Sequence, residues 1–360
     1  MPSAQRFLFR VLDVDTAQGH AEWHRTWESL PGQEVMAHPD YARLFARPCD
    51  RTVCAVGEEP EGAVLFPLIL RPLSAEPWSR PAEQRWDAIS PYGYGGPFAW
   101  GRRSHGDALF WQGYAEWCEQ EGIVSTFVRL SLFEEHLAQI PQPVEELRRN
   151  VVVRLESGAE ELWRRYDTRV RRWVRAAERA GLQVEQDWDG ARLGDFMSIY
   201  SHTMQRNGAS PWYYFPRSFF EAIVERLRGR FVFFHTLDHG KVVSSDLFLC
   251  CQEHVYYFLG GTFAGAFAHG PNYILKHQAL AWASKAGKKA FVLGGGHKEG
   301  DGLMRYKRAF APADEVPFRV ACLTHSEGEY RALVADRAAF EERQGRFWAP
   351  RIGYFPAYRS

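Results

Sequence analysis

The stretch from Val255 to Phe310 constrains the fold more than any other. It opens as V-Y-Y-F-L-G-G-T-F, runs through a Gly/Ala/His loop to Pro271, and continues as an alanine-rich apolar segment from Asn272 to Ala286. A-F-V-L-G-G-G follows over Ala290 to Gly296, then a glycine- and charge-rich loop, then L-M-R-Y-K-R-A-F before Pro312. Aromatic and β-branched residues ending at Gly260-Gly261 predict a strand. Pro271 sits where a helix can begin, because its missing N–H would be unpaired there in any case. Gly287 occupies the position just past a helix end that glycine favours. The order is therefore strand, loop, helix, strand, glycine turn, short helix. A strand–helix–strand unit of this length is a parallel crossover. Ligands of such units bind beyond the carboxyl ends of the strands, and both ends here are glycine-rich, Gly260-Gly261 and Gly294-Gly295-Gly296.

The flanking chain has room for two cores, since it is 360 residues long and 46% hydrophobic. Before the crossover the patterns predict strands at Phe7–Leu12, Thr52–Val56, Ala63–Leu70 and Thr126–Ser131, with helices at Thr16–Leu30, Pro39–Ala46 and Asp107–Glu121. Trp23 and Trp27 share one face of the first helix. The I-S-P-Y-G-Y-G-G-P run from Ile89 to Pro97 is a loop, shaped either by backbone need alone or as a wall of a cleft. Pro141 to Leu147 reads as a linker between domains 1–148 and 149–360. In the second half, strands are expected at Val151–Leu155 and Leu182–Gln186, and helices at Leu193–Gln205 and Ser218–Leu227. An antiparallel meander over Phe231–Leu237, Val242–Cys250 and Val255–Leu259 turns first at D-H-G. A strand at Val316–Leu323 and a helix at Glu327–Arg343 end that half.

Lys+Arg and Asp+Glu are both 44, so nucleic acid could be held only by a local patch. One candidate patch is a helix predicted from Glu161 to Ala180. Its arginines Arg164, Arg165, Arg169, Arg171, Arg172, Arg175 and Arg179 fall within an arc of roughly 160°. Arg164, Arg171, Arg172 and Arg175 are the candidate contacts to RNA or another phosphate, against the alternative of an ordinary solvated face. Six cysteines without a C-x-x-C pair, and thirteen histidines without H-E-x-x-H spacing, predict reduced core thiols and no metal. No Ser-His-Asp or nucleoside-triphosphate motif is apparent. The amino terminus lacks a signal-peptide core and no segment is apolar enough to span a bilayer, which predicts a cytoplasmic protein.

Lys307 stands apart from its charged neighbours. On a helix, Leu303, Tyr306 and Phe310 cluster on one side, and Lys307 lies about 40° from Leu303, whereas Arg305 and Arg308 point away. A lysine bordering an apolar face beside glycine-rich strand ends either snorkels to solvent or belongs to a site. Arg206 closes the helix S-I-Y-S-H-T-M-Q-R before the Asn207-Gly208 turn, where a cation also complements the helix dipole. Trp212, Tyr213, Tyr214 and Phe215 follow as an aromatic run, lid or core.

These motifs resemble the Fem-like branch of the GNAT acyltransferase superfamily, the peptidoglycan-bridge aminoacyltransferases. The resemblance is carried by Tyr257, Gly260, Gly261, Pro271, Leu293 to Gly296, Gly302, Leu303, Tyr306, Lys307 and Phe310. It implies an α+β fold of two GNAT-like domains, each a mixed, mostly antiparallel sheet flanked by helices, with the acyl-transfer site in the C-terminal one. It implies an aminoacyltransferase joining an amino acid from aminoacyl-tRNA to an amine of a peptidoglycan precursor peptide, without a resident cofactor. Lys307 then meets the reacting end of a substrate, and Tyr200, Thr203 and Arg206 match a pattern whose arginine binds an acceptor phosphate. Tyr214, Tyr257, Tyr306, Gly295 and Gly296 fall on the implied substrate site. The loop F-A-G-A-F-A-H-G lacks the R/Q-x-x-G-x-G/A by which coenzyme-A-binding relatives hold a pyrophosphate, while the H-x-x-G-x-G at His297 to Gly302 follows the wrong strand. An acyl-CoA or acyl-carrier donor is the alternative, and a non-catalytic binding module on the same fold is the second.

Overall fold

A computed structural model of the protein describes residues 7–79, 84–101, 107–156, 158–296 and 300–360; His297 and its two successors, part of the second glycine motif, lie outside them. The chain forms two compact units, Met1–Leu147 with Phe318–Ser360, and Arg148–Pro317. In chain order the first unit contributes β1 (Leu8–Asp13), α1 (Ala17–Glu28), α2 (Pro39–Arg43), β2 (Arg51–Glu59), β3 (Gly62–Pro72), β4 (Trp86–Ile89), β5 (Phe98–Gly101), α3 (Ala108–Glu121) and β6 (Ile123–Arg129). β7 (Val144–Arg154) leads into the second unit. That unit holds α4 (Gly158–Arg165), α5 (Thr168–Arg179), β8 (Gln183–Asp187), α6 (Leu193–Arg206), α7 (Arg217–Arg226), β9 (Phe231–Asp238), β10 (Lys241–Cys250), β11 (His254–Thr262), α8 (Pro271–Lys285), β12 (Ala290–Gly294) and α9 (Gly302–Arg308). β13 (Glu315–Thr324) and α10 (Glu327–Arg343) close the chain.

In the first unit the strand order is β1-β2-β3-β4-β6-β13, with β5 also pairing β3. All pairs are antiparallel except β4 with β6. Trp23 and Trp27 are both buried as their shared helix face predicts, and each indole N–H is satisfied by a carbonyl, that of Ala37 at 2.9 Å and that of Glu34 at 2.8 Å. α3 lays Phe110, Tyr114 and Cys118 on the sheet. Two expectations are corrected here. The expected linker is partly strand, because β7 begins at Val144; its first six residues are exposed and polar-rich, so no apolar alternation announced it. The closing strand and helix, expected in the C-terminal domain, belong to the first unit, where β13 pairs with β6. A pairing between segments about 200 residues apart leaves no local trace in a sequence.

In the second unit the order is β7-β12-β11-β10-β9-β8. The meander is antiparallel, and β11 pairs with β12 in parallel through the α8 crossover. The D-H-G turn has positive φ at both central residues, His239 at 46° and Gly240 at 79°, the backbone of a tight two-residue hairpin. The core lies where α4, α5 and α8 cover the sheet, with Leu162, Tyr166, Val170, Val174, Leu275 and Phe291 at its centre. The single arginine helix expected over 161–180 is two helices. Asp167 leaves helical geometry at φ −52° and ψ 145°, its carboxylate accepts from the Arg169 N–H, and its own N–H donates to the Ala309 carbonyl at 2.8 Å. Asp167-Thr168 is thus a helix start inside what looked like one helix. Among the described residues no helix is long and apolar enough to cross a membrane.

Candidate active site

β11 and β12 stay paired only from His254–Tyr256 against Ala290–Val292. Beyond that point they part: β11 continues to Thr262 and β12 to Gly294. A parallel pair that opens at its carboxyl end leaves a slot between the two strand ends, and α9 delivers a side chain to it. Lys307 Nζ donates to the Gly295 carbonyl at 2.7 Å, and Lys307 is only 6% exposed. Its neighbours point elsewhere, as the helical wheel requires: Arg305 donates to the Gly300 carbonyl and Arg308 pairs with Glu315. Asp301 caps α9 by accepting from the Met304 N–H, and lies so close to Gly296 that a Cβ there would overlap its carboxylate. Tyr306 turns the other way along α9, donating to the Asn272 carbonyl at 3.0 Å while its ring meets Tyr273 and Phe310.

Below the slot lies a pair that sequence reasoning missed. Lys276, on α8, donates to Asp246, on β10, at 2.8 Å, and both are buried. The Lys276 ammonium sits 3.3 Å from the centroid of the Tyr257 ring, and Lys307 Nζ lies 5.6 Å from the same centroid. Asp246 also accepts a hydrogen bond from Tyr257. A Cβ on Gly260 would collide with the Asp246 carboxylate, which explains glycine at that place on β11. The pair had a visible signal: Asp246 and Lys276 are lone charges within apolar runs, V-V-S-S-D-L-F-L-C and P-N-Y-I-L-K-H-Q-A-L.

Burial sets the protonation of this cluster. It lowers the Lys307 amine to about 7, and the neighbouring Lys276 ammonium adds to the fall against the opposing carboxylates of Asp301 and Asp246. Burial raises the Asp246 carboxyl and lowers the Lys276 amine, while their mutual attraction opposes both shifts. Burial holds the Tyr257 and Tyr306 phenols well above their ordinary range, so both remain hydrogen-bond donors near neutrality. The arrangement therefore offers a desolvated amine that exchanges a proton near pH 7.

The second expected cluster is assembled at the far end of β11. Thr203 Oγ1 accepts from the Thr262 N–H at 3.3 Å, and a Cβ on Gly261 would overlap that hydroxyl. Arg206, exposed at the end of α6, donates to the Thr262 carbonyl at 2.8 Å and stands 5.0 Å from the Phe267 ring centroid. Tyr200 is buried, and its hydroxyl donates to the Tyr213 carbonyl at 2.6 Å, which fixes the aromatic run. Tyr200 thus acts on the backbone of that run, and Tyr214 and Trp212 stand exposed beside it.

The arginine patch is not the continuous face that one helix would make. Arg164 pairs with Glu160 and Glu161, and Arg165 pairs with Asp314. Arg171 donates to the carbonyls of Arg164 and Tyr166, closing the end of α4. Arg175 lies over the Trp163 ring and Arg172 beside Trp173. Of two open depressions of about 500 and 480 Å³, one lies around Trp282 and Phe234, and the other, around Trp163 and His277, includes Arg164 and Arg175; Lys307 lines neither. The side chains of the slot, and not either of these depressions, define the candidate site.

A Ser-His-Asp relay unseen in the sequence is present. Ser245 Oγ lies 2.8 Å from His235 Nδ1, and His235 Nε2 lies 3.4 Å from Asp187 Oδ2. The three come from β10, β9 and β8, too far apart in the chain to form a motif. Ser245 and His235 are fully buried, burial lowers the His235 imidazole, and Asp187 also accepts the backbone N–H groups of Gly190, Ala191 and Arg192. This relay ties strands to the start of α6 and presents no nucleophile to solvent.

Residues 164–308 match the family model of the acetyltransferase (GNAT) domain. No curated protein matches the chain in sequence. The fold is similar to that of FemX, at 13% identity over 87% of this chain and 98% of that one, with a TM-score of 0.63. It is also similar to the C-terminal domain of a putative lysylphosphatidylglycerol synthetase from Agrobacterium fabrum, at 13% identity over 89% and 97% of the two chains and a TM-score of 0.55. A conserved protein of unknown function from Bacteroides thetaiotaomicron VPI-5482 shares the fold at 9% identity, 89% and 100% coverage and a TM-score of 0.53. Residues 164–308 thus match an acetyltransferase (GNAT) domain, and the chain has a fold similar to that of FemX.

Proposed function

We propose that the chain transfers an aminoacyl group from aminoacyl-tRNA to an amine of a peptidoglycan precursor peptide, with the reaction centred on the slot between β11 and β12. The observation that carries this reading is Lys307: a buried amine lowered to about 7, held at the open end of a splayed parallel pair. Amide formation from an amine and an activated ester needs the amine neutral and the developing charges met; positioning does much of the rest. In the neutral form Lys307 accepts the proton that leaves the attacking nitrogen. The C–N bond forms, the ester C–O bond breaks, and the proton passes on to the leaving ribose oxygen. A fixed cation at the developing oxyanion fits an amine of this environment less well than a base that changes charge near neutrality. In this reading Arg206, beside the Phe267 ring, meets an acceptor phosphate.

The choice of donor rests on the Fem-like fold and on the absence of a pyrophosphate motif from the 263–270 loop. The matched domain is described as an acetyltransferase domain, which keeps an acyl-CoA donor as the second reading. A donor screen separates them: charged tRNAs against acyl-CoAs, each with a lysine- or ornithine-containing precursor peptide. Product formation with charged tRNA and none with acyl-CoA is expected, whereas turnover with acyl-CoA alone overturns the proposal.

A further inference from the structure

Among the described residues, Arg129 of the first unit has no carboxylate paired with it. Arg129 ends β6, and its backbone N–H donates to Ser90 Oγ at 2.8 Å. One guanidinium nitrogen, Nη1, donates to the Ser90 carbonyl at 3.0 Å. The guanidinium carbon lies 5.0 Å from the Phe127 ring centroid, and the phenols of Tyr92, Tyr41 and Tyr354 are its other close polar neighbours. Arg71 stands near as a like charge, but pairs with Asp87 at 2.6 Å. Asp87 also pairs with Arg359, and Glu134 with Arg319. Among the described residues no carboxylate lies within ion-pair distance of Arg129. Burial lowers its guanidinium to about 10, with the Tyr92 phenol opposing. Yet the residue is partly exposed, so solutes can reach it.

We propose that Arg129 anchors a binding site in the first unit for a small organic carboxylate. A partly exposed guanidinium with one side-chain bond, from Nη1 to a backbone carbonyl, and no carboxylate beside it among the described residues keeps N–H donors free for a ligand. Its planar fork matches the two oxygens of a carboxylate. One guanidinium neutralises a monoanion, whereas a phosphate dianion would leave net negative charge among aromatic rings, which disfavours that ligand. The rings of Phe127, Tyr92 and Tyr354 then offer faces to the apolar part of the bound molecule. The Tyr92 segment is itself fixed: the Tyr41 hydroxyl donates to the Tyr92 carbonyl at 2.7 Å, and the Phe45 and Tyr92 rings meet at 5.6 Å. The glycine-rich run from Ile89 to Pro97, open at the sequence level between a plain loop and a cleft wall, is by this assignment the wall of a carboxylate site. The inference uses the first unit alone and stands or falls separately from the acyl-transfer reading.

The test is calorimetric titration of the full chain with acetate, N-acetylalanine and hippurate, with the carboxamide of hippurate and inorganic phosphate as controls. Saturable binding of hippurate is expected, with its carboxamide roughly ten- to a hundredfold weaker, the scale of a lost charge-assisted pair. Arg129→Gln should remove the preference for the carboxylate, and Arg129→Lys should retain part of it, because the charge stays and the fork is lost. The comparison of carboxylate with carboxamide on the unaltered chain needs no variant and so survives a folding defect in either. Equal binding of acid and amide, undiminished hippurate binding in Arg129→Gln, or no saturable binding of any of the three carboxylates overturns the assignment. Phosphate binding more tightly than hippurate overturns the ligand class.

Discussion

Replacing Lys307 with methionine keeps the aliphatic stem and removes the amine, and its effects on stability and on turnover can be worked separately. Burial and Lys276 bring the amine from its ordinary 10.5 to about 7. That is a fall of about 3.5 units, or ~5 kcal/mol at 1.36 kcal/mol per unit, charged against the folded state whenever the lysine is protonated. The unfolded chain holds this proton up to about pH 10.5, the folded chain only up to about 7. Between these values the unfolded state binds more protons, so the wild type gains stability as pH rises through the window. Below about pH 7 the full cost stands. Methionine carries no such cost but loses the hydrogen bond to the Gly295 carbonyl, about 1 kcal/mol. Lys307→Met should therefore be more stable than the wild type by ~4 kcal/mol at pH 6, and the advantage should shrink to about zero by pH 10. Urea unfolding at a series of pH values measures the difference.

The same amine should govern turnover. As a base, Lys307 makes kcat/KM rise with pH through an apparent pKa near 7, well separated from an acceptor ammonium titrating near 10. Lys307→Met should lose roughly 10²- to 10⁴-fold in kcat and abolish the lower limb. A stability difference that does not change between pH 6 and 10 would refute the ionisation argument. Wild-type turnover in a folded Lys307→Met would remove the residue from the chemistry. A profile that falls through pH 7 would return Lys307 to the role of a fixed cation at the oxyanion.

The other expectations concern the residues around it. Lys276→Met leaves Asp246 buried without its partner and should cost ~3–5 kcal/mol in unfolding free energy. Adding Asp246→Asn should recover roughly half of that loss, and strict additivity in the cycle would show that the pair is not coupled. Arg206→Ala should raise the acceptor KM by roughly ten- to a hundredfold, with lysine rescuing in part; an unchanged KM in a folded variant takes Arg206 out of the site. Arg171→Ala should destabilise by about 1–2 kcal/mol because it opens the end of α4, whereas Arg172→Glu with Arg175→Glu should leave folding intact and flatten the salt dependence of tRNA binding. Wild-type-like salt dependence in that double variant would reduce the helix to an ordinary solvated face.

What was legible in the chain follows from how local each cause is. The crossover of α8 between β11 and β12 could be read because proline opens the helix, glycine follows it, and aromatic and β-branched residues fill the strands, all within one short stretch. The inward turn of Lys307 was readable from helical geometry alone. The arginine face failed for a local reason too: helical periodicity was followed through Asp167-Thr168, where the aspartate side chain satisfies the N–H of a new helix instead of continuing the old one. Pairings across the chain had no such trace, so β13 and α10 went to the wrong unit, and the Ser245–His235–Asp187 relay stayed hidden.

Asp246 and Lys276 belong between these cases. Each breaks a local rule, a charge inside an apolar run, and the rule-breaking is visible even where the partner is not. Among the described residues Lys276 and Lys307 are the buried lysines, and one tyrosine ring, that of Tyr257, lies within 3.3 Å of the first and 5.6 Å of the second, measured to its centroid. A core gains nothing from two buried lysine amines that apolar side chains of like volume would not supply more cheaply. Their concentration at the point where β11 and β12 part is therefore the strongest internal reason to place the chemistry there, because local conflicts with folding rules gather where function requires them.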